Sequence, residues 1–195
     1  GRNEWDCTGA SNTGTFQRST GCTISGTTTT TGGGVVVTNT LEIVGTVEDM
    51  NNLIVIHAPS KQRHFYINGA NDKLVLRYLK LVGGDVSSYS SWPDDAGGSI
   101  LINTNGGELN LYSSIVFNNK AQMGGAIYAW GASSTNRNAI MNIYNSIIQN
   151  NEAADSGGIY IGNAVATIEN TTIDNNQANY GGGCGGMAIS FSDVT

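Results

Sequence analysis

Proline is nearly missing from this chain, with two in 195 residues, and only 12% of positions are Asp, Glu, Lys or Arg. Disorder of the highly charged, weakly hydrophobic kind is thereby excluded, since 39% hydrophobic residues suffice for a continuous core. Basic residues are the scarcer sign: nine against fifteen acidic ones, for a net charge of −6, clustered only at Lys61-Gln62-Arg63-His64. Nucleic acid is therefore not an expected partner, because its binders concentrate Lys and Arg to displace counterions. No apolar run approaches the roughly 20 residues of a membrane-spanning helix, so no membrane span is expected. No segment keeps a helical period. No signal peptide is visible, yet the chain opens on Gly1; a processed segment, its targeting sequence removed, is the expectation.

Cysteine is thin as well, at three residues. Cys7 and Cys22 enclose a loop rich in Gly, Ser and Thr, where a disulfide supplies stability that the local core cannot. We expect them paired, which implies an oxidising compartment; two reduced buried thiols are the alternative. Cys184 is left over, and we expect it inside the fold as a small hydrophobe; a bond to a missing segment or to a second chain is the alternative.

What the chain has in quantity is Gly, 27 residues, together with Asn, Thr and Ser. Gly and Asn tolerate positive φ, so this composition suits short strands joined by tight turns. Ser113–Tyr128 returns as Asn145–Tyr160, and a looser third copy starts at Thr171. Each copy reads as a short strand headed by Ile115, Ile147 or Ile173, with Asn118, Asn150 or Asn176 three places on. A polar turn, a glycine pair and a second apolar strand follow. Ile115 and Ile147 lie 32 residues apart, and Ile147 and Ile173 lie 26 apart. Repeats of this length are stacked units, none of which buries a core alone.

The fold expected is all-β: a single-stranded, right-handed parallel β-helix, a solenoid with three strands per turn. Residues 1–34 read as an irregular, disulfide-linked N-terminal cap segment anchored by Trp5 and Phe16, with Thr27–Thr31 a polar loop. Residues 35–195 read as the helix itself, interrupted by an insertion at 85–96 (DVSSYSSWPDDA). Alternation along the strands predicts that Leu109/Leu111, Met141/Ile143 and Ala166/Ile168 stack in ranks in the core. Asn118, Asn150 and Asn176 are expected to hydrogen-bond from coil to coil, as in cross-β ladders. Met187–Phe191 reads as a last strand with no cap after it, so further protein or another subunit is expected to cover that end.

Ile-x-x-Asn followed by Gly-Gly-Ala-Ile, spelled out at Ile115–Asn118 and Gly124–Ile127, resembles the repeat of polymorphic outer membrane proteins and related surface β-helix proteins. Their pattern is Phe-x-x-Asn with Gly-Gly-Ala-Ile. The motif recurs at Ile147–Asn150 with Gly157-Gly158-Ile159, and more weakly at Ile173–Asn176 with Gly185–Ile189. The resemblance covers the C-terminal half of the chain. It implies the pectin-lyase-like fold, an extracellular or cell-surface location, and a role in adhesion or surface architecture. It supplies no catalytic residues.

Enzymes sharing that fold degrade polysaccharides with Asp pairs, or with a basic residue and Ca²⁺, and glycoside hydrolysis generally needs two carboxyls across the bond. The strands after the glycine pairs are SILI, AIYA, IYIG and MAIS, and none carries a charge. Asp94-Asp95 in the insertion are the best carboxylate candidates, able to hold a cation or act as acid and base; a solvated acidic loop is the alternative. No catalytic residue is assigned. His57, His64 and Cys184 have no zinc spacing, so neither metal nor cofactor is expected. Tyr89, Trp92, Tyr128, Trp130, Tyr144 and Tyr160 offer faces on which sugar rings stack, and Tyr128 and Tyr160 occupy equivalent places in two coils. Asn170-Thr171-Thr172 is an N-glycosylation sequon.

The chain therefore reads as a non-enzymatic, secreted or surface-displayed structural or adhesive module, its partners other protein subunits or extracellular polysaccharide, with homo-assembly through the coil ends. The alternative is a carbohydrate-binding module, with Trp92, Asp94, Asp95, Tyr128, Trp130 and Tyr160 its binding residues, and behind it a polysaccharide lyase or hydrolase.

Overall fold

Runs of three to six β-branched and aliphatic residues, each stopped by Asn, Gly or Ser, are too short to make a core alone and form one by stacking. The computed structural model describes residues 2–27, 32–133, 135–136, 138–181, 183–190 and 192–195. The chain begins with β1 (Asn3–Glu4), β2 (Gly14–Arg18), β3 (Cys22–Thr23) and β4 (Val35–Val36). Next come β5 (Thr40–Gly45), β6 (Ile54–His57) and β7 (Phe65–Ile67), then β8 (Lys73–Arg77), β9 (Leu79–Val82) and β10 (Ile100–Ile102). Two fuller coils follow: β11 (Gly107–Tyr112), β12 (Ile115–Phe117), β13 (Lys120–Met123) and β14 (Ile127–Trp130) in one. The other holds β15 (Ala139–Tyr144), β16 (Ile147–Gln149), β17 (Glu152–Asp155) and β18 (Ile159–Gly162). The last has β19 (Ala164–Glu169), β20 (Thr172–Asp174), β21 (Gln177–Ala178), β22 (Met187–Ser190) and β23 (Asp193–Val194).

Among the described residues these strands form four sheets, and all their pairings are parallel. The first runs β1-β2-β5-β8-β11-β15-β19-β23, the second β3-β6-β9-β12-β16-β20, the third β4-β7-β10-β14-β18-β22. The molecule is a right-handed parallel β-helix. A fourth sheet, β13-β17-β21, was not expected. It occupies the stretch between glycine pair and Asn that reads as a polar turn, because Lys120, Gln122, Glu152 and Gln177 face outward while Ala121 and Ala153 are buried. Later coils thus have four strands per turn, not three.

The disulfide-linked N-terminal entry lengthens the same sheets. Phe16 lies in register with Ile43, and Cys22 with Ile56. Cys7 is bonded to Cys22, and Trp5 is fully buried with its ring 6.0 Å from that of Phe65. Positions 28–31 of the expected Thr loop, and Phe191 of the expected last strand, lie outside the described residues.

Core ranks run along the axis as the alternation predicts. Leu41, Leu74, Leu109, Met141 and Ala166 form one, and Ile43, Leu76, Leu111, Ile143 and Ile168 the next. All are at most 1% exposed except Ile168, which is partly buried. Each large aliphatic side chain so buried contributes roughly 1.5–3 kcal/mol.

From β8 onward, one residue in the left-handed region makes each corner on either side of the second sheet. Tyr78, Ser113, Asn145 and Asn170 turn the chain from the first sheet into the second at φ 44–56°. Asn118, Asn150 and Asn175 make the next corner at φ 52–56°, a conformation that Asn adopts more readily than most residues. The third repeat is therefore one residue out of the expected alignment: Ile147 pairs with Thr172, and Ile173 stacks on Ile148 inside the core. The continuous coil-to-coil ladder accordingly belongs to Asn119, Asn151 and Asn176; at the corners Asn150 bonds to the next coil as expected, its Oδ1 accepting from Asn175 Nδ2. Asn151 Oδ1 accepts from the backbone N and Nδ2 of Asn119, at 3.0 and 2.9 Å. Asn176 Oδ1 does the same for Asn151. A hydroxyl ladder runs beside it, with Ser114 N donating to Ser146 Oγ and Ser146 N to Thr171 Oγ1.

Candidate functional site

The insertion loop fills the place of a fourth-sheet strand in its coil. It docks at both ends by isolated bridges, Asp85 on Lys120 and Ala96 on Met123. Between them it arches over the outer face of the third sheet. What holds it is Arg63, fully buried just before β7. Its Nη2 donates to the carbonyls of Pro93, Asp94 and Ala96 at 2.9–3.0 Å. Burial draws this guanidinium down to about 10. Gly32, at φ +69°, has no room for a Cβ between Arg63 and the Asp94 carbonyl. Sequence reading misses Arg63; its one signal is a charge directly against an apolar strand.

Under the loop lies an outward-facing apolar cluster. Tyr66, Leu101, Tyr128 and Tyr160 are in register on successive strands of the third sheet. The rings of Tyr128 and Tyr160 stack at 5.0 Å, and that of Trp130 lies 5.9 Å from Tyr160 and 6.2 Å from Tyr128. The equivalence of Tyr128 and Tyr160 thus does produce a ladder. Its facing ring surfaces cover one another, and Tyr128 is 4% exposed. Burial, aided by the Tyr160 ring, pushes the Tyr128 phenol up, with Trp92 as hydrogen-bond partner and Asp95 and Asp155 adding to the rise. Trp92 itself remains 43% exposed. Tyr144 is elsewhere, stacked on Tyr112 at 5.3 Å on the first sheet, with the Arg77 guanidinium 3.8 Å from the Tyr112 centroid.

Beside the ladder, loop and fourth sheet enclose an open cleft of about 480 Å³. Tyr89, Asp95, Gln122, Met123, Asp155 and Tyr180 line it. Its floor follows from register: Gln122 N donates to Asp95 O at 2.8 Å, and Met123 pairs with Asp155. Asp95 is not a solvated loop carboxylate. It is buried, and desolvation pushes its carboxyl above the ordinary range, with Asp94 adding to the rise and Arg63 opposing it. Asp94 is half-buried and contributes its carbonyl to Arg63. The structure therefore gathers Trp92, Asp95, Tyr128, Trp130 and Tyr160 on one flank of the helix and adds Asp155, Met123 and Tyr180, which sequence alone does not single out. Asp155 becomes visible only once the fourth sheet is known.

The other candidates lie apart. Asn170 is exposed at a corner. Cys184 is a free, exposed thiol and not a core residue, although its carbonyl accepts from Gly157 N of the preceding coil at 3.0 Å. His57 is exposed, whereas His64 is fully buried, with Nε2 3.1 Å from Ile56 O and Nδ1 3.0 Å from Ser99 Oγ. Among the described residues no three of His, Cys, Asp and Glu converge to hold a metal ion, and no helix is long and apolar enough to cross a membrane. Searches of protein-family models, curated proteins and solved structures return no match to this chain.

Proposed function

We propose that this chain is a non-enzymatic, extracellular or cell-surface β-helix module, a rigid rod with a structural or adhesive role. The observation that carries the reading is how its polar side chains are used. Asn and Ser ranks bond to one another along the axis, while the strands after the glycine pairs hold neither acid nor base. The resemblance of its repeat to surface β-helix proteins points the same way, and the Cys7–Cys22 bond suits an oxidising exterior. In the last coil Ile189, in register with fully buried Ile161, is 50% exposed; another subunit stacked there would cover it. Electron microscopy and sedimentation of the protein as isolated from its source test this. Ordered polymers, or a stable assembly with other subunits, are expected; discrete monomers that adhere to no surface would overturn it.

Exposed Trp92 beside the tyrosine ladder and exposed Tyr180 among the polar groups of the cleft favour a second reading, carbohydrate recognition. A glycan array checks it, with signal lost in Trp92→Ala or Trp130→Ala. Depolymerisation of an acidic polysaccharide, lost in Asp94→Ala/Asp95→Ala, would instead make the chain an enzyme.

A further inference from the structure

Within the cleft one buried side chain stays short of donors. Asp95 is 8% exposed, and its Oδ1 meets no hydrogen-bond partner among the described residues. A buried acceptor left so costs on the order of 1–3 kcal/mol, more when charged, and native folds rarely keep one without a use. The cleft it lines is of small-ligand size. Both charged residues of its wall, Asp95 and Asp155, are acidic, and no Lys, Arg or His is among the described residues lining it. Two tyrosines stand in that wall, and one of them, Tyr180, is 76% exposed.

We propose that this cleft binds an organic cation, a guanidinium or primary ammonium group, with Asp95 accepting its N–H donors and the rings of Tyr89 and Tyr180 flanking it. Each part of the wall matches that chemistry. A carboxylate gains most from a charge-assisted donor. Aromatic faces attract cations through their quadrupole, by about 0.5–2 kcal/mol according to desolvation. The Met123 sulfur adds a soft, polarizable contact. A neutral ligand would use the rings but gain no charge attraction from the two carboxylates. A bare metal ion would need three or more converging ligands, and the described residues do not supply them. A guanidinium is carried by an arginine side chain, and a primary ammonium by an amino sugar. The cleft would bind it whether or not the coils assemble end to end.

Titration of the ¹⁵N-labelled chain, followed by NMR, tests this with four probes: N-acetylarginine amide, its neutral analogue N-acetylcitrulline amide, glucosamine and N-acetylglucosamine. At least one cationic probe is expected to bind saturably, on the order of 1 mM, shifting the amides of Tyr89, Asp95, Asp155 and Tyr180. Its neutral counterpart should bind at least tenfold more weakly, and affinity should fall with salt. Asp95→Asn should weaken binding about tenfold, and Tyr180→Leu severalfold. Asp95→Asn removes an underbonded carboxylate, so its melting curve should show an intact fold; Asp155→Asn gives an independent check. The arginine or glucosamine arm that binds tells the peptide source from the sugar source. Equal binding of charged and neutral probes, unchanged affinity in both Asp variants, or no saturable shift with any probe would overturn the proposal.

Discussion

Two side chains missed or underrated by pattern, Arg63 and His64, are both fully buried just before β7. Burial holds His64 neutral and draws its pKa down to about 4, against the donations of a hydrogen-bonded ring. In the unfolded chain the same imidazole titrates near 6.5. Stability from this group is therefore complete above pH 6.5 and is lost as pH falls toward 4, because the unfolded state takes up the proton first. The loss amounts to about 3 kcal/mol. Urea titrations between pH 7 and 4 should show it, and His64→Gln should flatten that part of the pH profile. Asp95 has the opposite sign of effect: its carboxyl is raised by burial, so its ionised form weakens the fold at neutral pH. Asp95→Asn should raise the melting temperature at pH 7, the gain disappearing below the ordinary Asp range near 3.9. Arg63 cannot be replaced so lightly. Arg63→Met strips donors from three loop carbonyls and should cost roughly 3 kcal/mol or more. Limited proteolysis within 85–96 would report the loosened loop.

At the scale of strands and corners, neighbouring asparagines do different work. Asn151 is 1% exposed and donates to Val116 O, Gln149 O and Asn176 Oδ1 while accepting twice from Asn119. Asn151→Ala should cost roughly 2–4 kcal/mol, several buried groups losing partners together. Asn150, at φ 56° on the corner, tolerates Gly, which suits the left-handed region; Asn150→Gly should lie within about 0.5 kcal/mol of the parent. Thermal melts of the two variants side by side decide it. The pair also marks how far the sequence can be read. Strand existence, rank composition and the Cys7–Cys22 bond follow from alternation and spacing, which are local. The register of the third repeat does not, because Ile147 and Ile148 are adjacent and apolar alike, and only stacking tells which faces inward. The fourth sheet was hidden for a related reason: Lys120–Met123 and Glu152–Asp155 are polar enough to pass for turns, since only one residue of each, Ala121 or Ala153, points to the core. The cleft built on that sheet was hidden with it. Tyr128 and Tyr160 were legible as a ladder, but Asp155 and Tyr180 were not.

For the whole molecule, each coil touches only its neighbours, so stability is a chain of coil-to-coil terms rather than one global sum. The Cys7–Cys22 bond closes a loop with a sequence separation of 15, for which chain entropy predicts about 3 kcal/mol. Reduction should therefore act at one end. Hydrogen exchange is expected to lose protection in β2, β3, β5 and β6 while β11 to β18 keep theirs; uniform loss would show a single cooperative unit instead. The corner that leads from the third sheet back to the first has a further consequence. There β14 ends at Trp130 and β15 begins only at Ala139, whereas Asn163 alone separates β18 from β19, and the rungs on either side remain in register. To a lineage accumulating insertions and deletions, this corner is silent ground. A segment added at Asn163 stays a local edit, while one residue deleted from β15 would turn every later side chain of that strand inside out. Length variation among descendants of this chain should gather along that edge and at the place of the 85–96 insertion, leaving the strands themselves constant in length.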